Sequence, residues 1–151
     1  GVKVSSSVVR AFLNGGEVEM AKRCLGRPFM LSGTVVRGFQ EGRKMGFPTA
    51  NLQTAEGLLI PADGVYAVKV KVCDTGKWLP AMTNIGTRPT FHGTTRTLET
   101  HIFDFSKDIY DIPMTVAFVK RVRGEQMFDS EQALAEQLRK DEQEIRKILK
   151  Q

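Results

Sequence analysis

The stretch GVYAVKVKV, residues 64–72, decides the fold. It is rich in valine, alternates valine with lysine along its second half, and reads as a strand. Outward from it, FMLSGTVVRG (29–38), KWLPAMTNI (77–85), TLETHIFDF (97–105) and PMTVAFVKRV (113–122) carry the same signal, separated by Gly, Pro, Asp and Thr clusters. Strand signals at this spacing, with no helices between them, argue an antiparallel barrel or sandwich rather than a parallel sheet.

Helical patterns flank this β-rich middle. SSSVVRAFLNGG opens on serine caps and closes on Gly15–Gly16, and EVEMAKRCLG runs on to Gly26, a helix terminator. At the other end Asp129 or Ser130 caps a second helical region, with Gln132 three residues past Asp129. Leu134, Leu138, Ile145, Ile148 and Leu149 form its apolar stripe, which predicts a helix packed across the barrel.

Composition sets bounds on partners. At 151 residues the chain is expected to be one domain with a core of its own. The net charge of +5 and pI ≈ 9.4 suit an anionic partner: a nucleotide, a nucleic acid or a membrane surface. Cys24 and Cys73 match no zinc or redox spacing, so free thiols in a reducing cytosol are expected. With His92 and His101 as the two histidines, a histidine-built metal site is disfavoured. No apolar run approaches the roughly 18 residues of a membrane span, and no signal peptide is present, so the expected location is cytoplasmic.

Four segments are candidates to carry chemistry. GRKMGFPTAN, residues 42–51, has too few apolar residues and too much special backbone for an ordinary turn. Gly42 and Gly46 allow a nest of N–H groups for a phosphate, and Pro48 biases Phe47 towards extended geometry. Thr49 and Asn51 offer neutral oxygens on alternate residues, which suit Mg²⁺ sharing its shell with waters and substrate phosphates. No P-loop pattern is present, and a long hairpin loop fits the same residues. In RTLETHIFDF, alternation sets Leu98, Thr100 and Ile102 on one face and Glu99, His101, Phe103 and Phe105 on the other. Glu99 is then either a surface ion pair or a base in a cleft, where burial would raise its pKa. TNIGTRPTF (83–91) reads as an odd loop, either a ligand site or a rigid connection; RVRGEQMFDS (121–130) reads as a solvated loop or a flap.

Taken in order, SSSVVRAFLNGGEVEMAKRCLGRPF, GFPTAN, GVYAV, NIGTRPTF, LETHIFDF and EQMFDSEQAL resemble the riboflavin kinase module of the bacterial bifunctional riboflavin kinase/FMN adenylyltransferase (FAD synthetase) family. The resemblance covers essentially the whole chain. It implies a mainly β fold, a six-stranded antiparallel Greek-key barrel with a long C-terminal helix and a short helical N-terminal segment. It implies transfer of the γ-phosphoryl group of ATP to the 5′-hydroxyl of riboflavin, giving FMN and ADP. Glu99 matches the catalytic base, and Thr49 and Asn51 the Mg²⁺–nucleotide ligands. Gly42, Gly46, Phe47 and Pro48 fall in the nucleotide-binding segment, with Gly42 to Phe47 as its phosphate-covering loop. Arg123, Glu125 and Phe128 fall on the flavin side. Asn84 and Arg88 lie in a family motif with no assigned role. Asp111 and Gly124 depart from the usual family residues, which puts flap geometry in doubt more than activity.

VSSSVVR, residues 4–10, resembles the tail of the family's adenylyltransferase domain, while no paired-histidine motif or βαβ pattern precedes Gly33. Residues 1–26 are therefore expected to be a junction and 27–151 the kinase domain, making FMN but no FAD. In the full-length protein the partner is an N-terminal FMN adenylyltransferase domain, with no nucleic acid or membrane partner. Two rivals remain at this level. A flavin-binding redox barrel would not need Thr49, Asn51 and Glu99 together, and a barrel for single-stranded nucleic acid would need stacking aromatics along a groove.

Overall fold

The computed structural model describes residues 6–36, 49–73, 76–105 and 107–150. Its elements run α1 (Ser6–Asn14), α2 (Val18–Leu25), β1 (Met30–Val36), β2 (Ala50–Thr54), β3 (Gly64–Val72), β4 (Leu79–Thr90), β5 (Gly93–Ile102), β6 (Pro113–Arg123) and α3 (Glu131–Lys150). All strand pairs are antiparallel, and the sheet closes into a barrel in the order β1-β2-β5-β4-β3-β6. The meander β3-β4-β5 with β6 returning beside β3 is a Greek key.

Alternation sorts the strand residues into two sets. Leu31, Val35, Leu52, Tyr66, Val68, Val70, Ile85, Leu98, Ile102, Val116 and Phe118 fill the barrel. Thr83 and Thr100 also turn inward and satisfy each other with a buried 2.8 Å hydroxyl–hydroxyl bond. Leu13, Val18 and Ala21 join the same core, so the helix pair α1–α2 is packed as part of the barrel body. Gly26 ends α2 in the left-handed conformation, as its position in the sequence requires. At Gly33 a side chain would come 2.2 Å from the carbonyl oxygen of Gln53, so this crossing of β1 and β2 needs glycine.

The outer wall of β3, β4 and β6 holds a second cluster. Val65, Ala67, Met82, Phe103, Val119 and Val122 pack against Leu138, Ile145, Ile148 and Leu149 of α3. Ser130 is the cap: its Oγ accepts the N–H of Ala133 at 3.1 Å. The stripe of α3 contains a charge that the apolar pattern hides. Asp141 sits at the helical spacing between Leu138 and Ile145 and is only 2% exposed. It accepts both Nε and Nη2 of Arg123 (2.9–3.1 Å) and the side-chain amide of Gln137 at 3.0 Å. Farther along α3, Arg146 donates to both oxygens of Asp104 at 3.1 Å and lies over Phe103.

Three sequence expectations change. β2 is a strand that alternation did not single out, because its ANLQT is short and mixed. TNIGTRPTF is not a loop: β4 continues to Thr90 and turns at Phe91–His92 into β5. Phe103 and Phe105 do not share a face, because β5 ends at Ile102 and Asp104 takes a positive φ of 56°. Phe103 then joins the cluster under α3, while Phe105 packs on the barrel core.

Candidate active site

Register assembles the site. Asn51 on β2 stands opposite Glu99 on β5, and Glu99 stands opposite Asn84 on β4. Opposed residues share a face, and their neighbours Ala50, Thr100 and Thr83 point inward, so these three side chains line the outer wall in one row. Three strands distant in sequence thus bring an amide, a carboxylate and an amide side by side, about 5 Å apart. The next partner of Asn84 is Val65, already beneath the α3 cluster, so the row sits at the edge of the helix.

The row is shielded. Asn51 is 7% exposed and the Glu99 side chain 14%. The Nδ2 of Asn51 and the Oδ1 of Asn84 are buried and find no hydrogen-bond partner among the described residues. Polar atoms left in that state cost free energy unless a ligand or water meets them. Arg88, two outward positions beyond Asn84 on β4 with Gly86 between them, reaches back to within 3.8 Å of Glu99 Oε1. His101, the next outward residue of β5, places Nε2 3.5 Å from Glu142 of α3. Thr49 lies half-buried immediately before β2.

Glu125 enters from the segment after β6. Its Oε1 lies over Gly86, where a Cβ would come within 3.1 Å of it. Partial burial of the carboxylate, with the negative charge of Asp63 adding to it, pushes Glu125 above the ordinary carboxylate value against the pull of Arg123 and Arg88. The folded state therefore holds this proton more tightly than the unfolded chain. Stability is lost as pH rises from the ordinary carboxylate range through the raised value, and the ionised group weighs on the fold at neutral pH. Glu125→Gln should raise the melting temperature by about 1 °C at pH 7 and change nothing at pH 3.5, where both states are protonated. Melting curves at the two pH values check this; equal shifts at both would contradict it.

The remaining flavin-side residues group elsewhere. Arg123 spends Nε and Nη2 on Asp141 and Nη1 on the carbonyl of Gly124, and stacks at 5.7 Å on Phe128. It stands opposite Val65, three strand spacings or about 14 Å from Glu99. Arg123 and Phe128 thus anchor the segment that carries Glu125. Asp63 is tied to Thr87 at 2.6 Å and to Arg96, whose guanidinium also reaches the carbonyls of Ile60 and Pro61. Gly42, Gly46, Phe47 and Pro48 lie outside the described residues. Asn84 and Arg88, which had no role in the sequence, belong to the row. Continuing the alternation of β4 through Gly86 would have put Asn84, Gly86 and Arg88 on one face, but Gly86 and Pro89 read as loop.

The site is a closed six-stranded barrel bearing a shielded carboxylate, Glu99, between two amides on its outer wall. Residues 25–149 match the family model described as "Flavokinase: Riboflavin kinase", and the chain belongs to the riboflavin kinase family. That makes it an enzyme of the kinase class. It is 39% identical over 145 residues to the bifunctional riboflavin kinase/FMN adenylyltransferase of Bacillus subtilis, covering 94% of this chain and 45% of that protein. It is similar to a solved structure of riboflavin kinase from Trypanosoma brucei (TM-score 0.62, 26% identity, 82% of this chain and 78% of that one). It also resembles a structure described as a macrolide-efflux protein from Streptococcus pneumoniae (TM-score 0.89, 38% identity, 95% of this chain and 46% of that one). Among the described residues of this chain no helix is long and apolar enough to cross a membrane. The chain spans less than half the length of the bifunctional relatives it matches.

Proposed function

We propose that the chain transfers the γ-phosphoryl group of ATP to the 5′-hydroxyl of riboflavin, giving FMN and ADP, with Glu99 as general base. The observation that carries this reading is the placement of Glu99: a carboxylate 14% exposed, in register between Asn51 and Asn84, within a chain of the riboflavin kinase family. Phosphoryl transfer asks a protein for positioning and charge stabilisation more than for covalent chemistry. One aligned base and a shielded wall meet that demand.

Thr49 and Asn51 are the residues that would hold Mg²⁺. The donor chemistry fits: neutral oxygens beside one carboxylate suit an ion that keeps waters and takes phosphate oxygens as its other ligands. When bound, Mg²⁺ neutralises charge developing on the transferred phosphoryl group. The protein's own residues do the rest. Glu99 takes the proton of the attacking hydroxyl, Arg88 at 3.8 Å holds the carboxylate in place, and Glu125 borders the acceptor side over Gly86. Gly42 to Phe47 are proposed to cover the phosphates, and Arg123 and Phe128 to support the flavin side.

The domain division at residue 26, a cytoplasmic location and an FMN adenylyltransferase domain elsewhere in the full-length protein belong to the same reading. The relatives named as bifunctional support the last of these. The test is direct. Purified protein incubated with riboflavin, ATP and Mg²⁺ should yield FMN and ADP in equal amounts by chromatography, and FMN with ATP should yield no FAD. Absence of FMN defeats the reading.

A further inference from the structure

Asn84 occupies the place on this wall where the rest of an acceptor chain must lie. The wall has a direction. Thr49 and Asn51 are on the β2 side of Glu99, and Asn84 is on the β4 side, directly opposite Glu99 in register. In an in-line transfer the phosphoryl group approaches the attacking oxygen from one side, and the carbon bearing that oxygen lies on the other. With the phosphates towards β2, the acceptor's carbon chain runs over β4. Its first polar neighbour there is Asn84.

The state of that amide points the same way. Its Oδ1 is buried and has no hydrogen-bond partner among the described residues, although hydroxyl donors occupy the same strands. The threonine nearest in register, Thr83, faces inward and is bonded to Thr100. Beyond Asn84 the next outward position of β4 is Gly86, whose missing side chain leaves room for the Glu125 carboxylate and so bounds the wall on that side. An acceptor-only oxygen, buried, on the residue directly opposite the base and on the side away from the phosphates, is built to receive an O–H.

We propose that Asn84 is a positioning residue for a polyol acceptor: its Oδ1 accepts a hydrogen bond from the hydroxyl next to the one that is phosphorylated. This rests on the function proposed above, with Glu99 as base. It deepens that function by giving the site a preference for acceptors with a vicinal pair of hydroxyls over otherwise identical primary alcohols. The hydrogen bond orients the terminal carbon so that its oxygen meets Glu99, and no proton or electron pair is transferred through Asn84.

The experiment is a cycle between one protein group and one substrate group. kcat/KM is measured for the unaltered chain and for Asn84→Ala, each with riboflavin and with 4′-deoxyriboflavin. For riboflavin the substitution should lower kcat/KM by about tenfold, and for the unaltered chain removal of the 4′-hydroxyl should do the same. With both removed, the loss should stay near tenfold rather than multiply to a hundredfold, because both deletions break one bond. A merely structural role of Asn84 would depress both substrates equally, and independent, multiplying losses overturn the inference while FMN formation stands. If the unaltered chain forms no FMN, the inference falls together with the function beneath it. Asn84→Ser, which keeps an oxygen on a smaller side chain, serves if the alanine variant does not fold; it should lower kcat/KM for riboflavin and leave that for 4′-deoxyriboflavin unchanged, and equal losses on the two acceptors again overturn the proposal.

Discussion

Glu99→Gln should slow FMN formation by roughly 10²–10⁴-fold and leave the barrel folded. Glutamine fills the same volume between Asn51 and Asn84 and keeps one oxygen facing Arg88, so the wall has no reason to rearrange. What it cannot do is accept a proton. The attacking hydroxyl would then have to lose its proton to water, across a wall where the carboxylate side chain is only 14% exposed. The loss should fall on kcat, with riboflavin binding little changed, because the base acts at the transition state. Stopped assays of FMN, together with a melting curve to confirm folding, give the answer. Turnover within threefold of the unaltered chain, in a folded variant, would remove Glu99 from the mechanism.

The second large effect is on stability. Asp141→Ala should destabilise the chain by about 3–5 kcal/mol, because it leaves the guanidinium of Arg123 shielded beneath α3 without its carboxylate. For a chain of this size that lowers the melting temperature by on the order of 10 °C. Replacing both members by apolar residues of similar volume, Arg123→Met with Asp141→Leu, should recover most of that loss, since the pair's desolvation then disappears along with its attraction. The double variant also separates two roles of Arg123. If Arg123 does not touch the flavin and apolar packing holds residues 124–128 as well as the ion pair did, a stable double variant should keep riboflavin binding within a few-fold; binding that falls while stability returns shows that Arg123 itself matters to the flavin side. A single variant as stable as the parent would show that the buried pair carries no weight.

How much of this was legible before folding follows from which physical signal each residue sends. β3 is readable to its ends, Gly64 to Val72, because its valines alternate and its flanks are breakers. β2 is not, since five mixed residues carry little periodicity and its place is set by pairing with β1 and β5. Glu99 is recognisable as a candidate from alternation alone, but its strand neighbours Asn84 and Asn51 lie 15 and 48 positions away in the sequence, and its partner Arg88 comes from a segment that glycine and proline disguise as loop. Asp141 is the instructive miss. An apolar stripe is read by counting apolar residues, and a charge at the same spacing is skipped, although a carboxylate buried to 2% needs a cation, and Arg123 was in view. The rule for a helix like α3 is to ask what stands at each stripe position, and to look for a partner wherever the answer is charged.

The filled barrel has a further meaning for how such a catalyst turns over. With Tyr66, Phe118, Ile85 and Val68 occupying its centre, the barrel has no lumen through which a molecule could thread. In the proposed reaction both substrates would therefore meet on the outer wall that carries Glu99. The segment bearing Glu125 leans over that wall after β6 and is tied to α3 through Arg123 on Asp141. On the proposed function, the seating of α3 would then govern how firmly that segment is held over the wall. Loosening the helix should quicken release, and clamping it should make release the slow step.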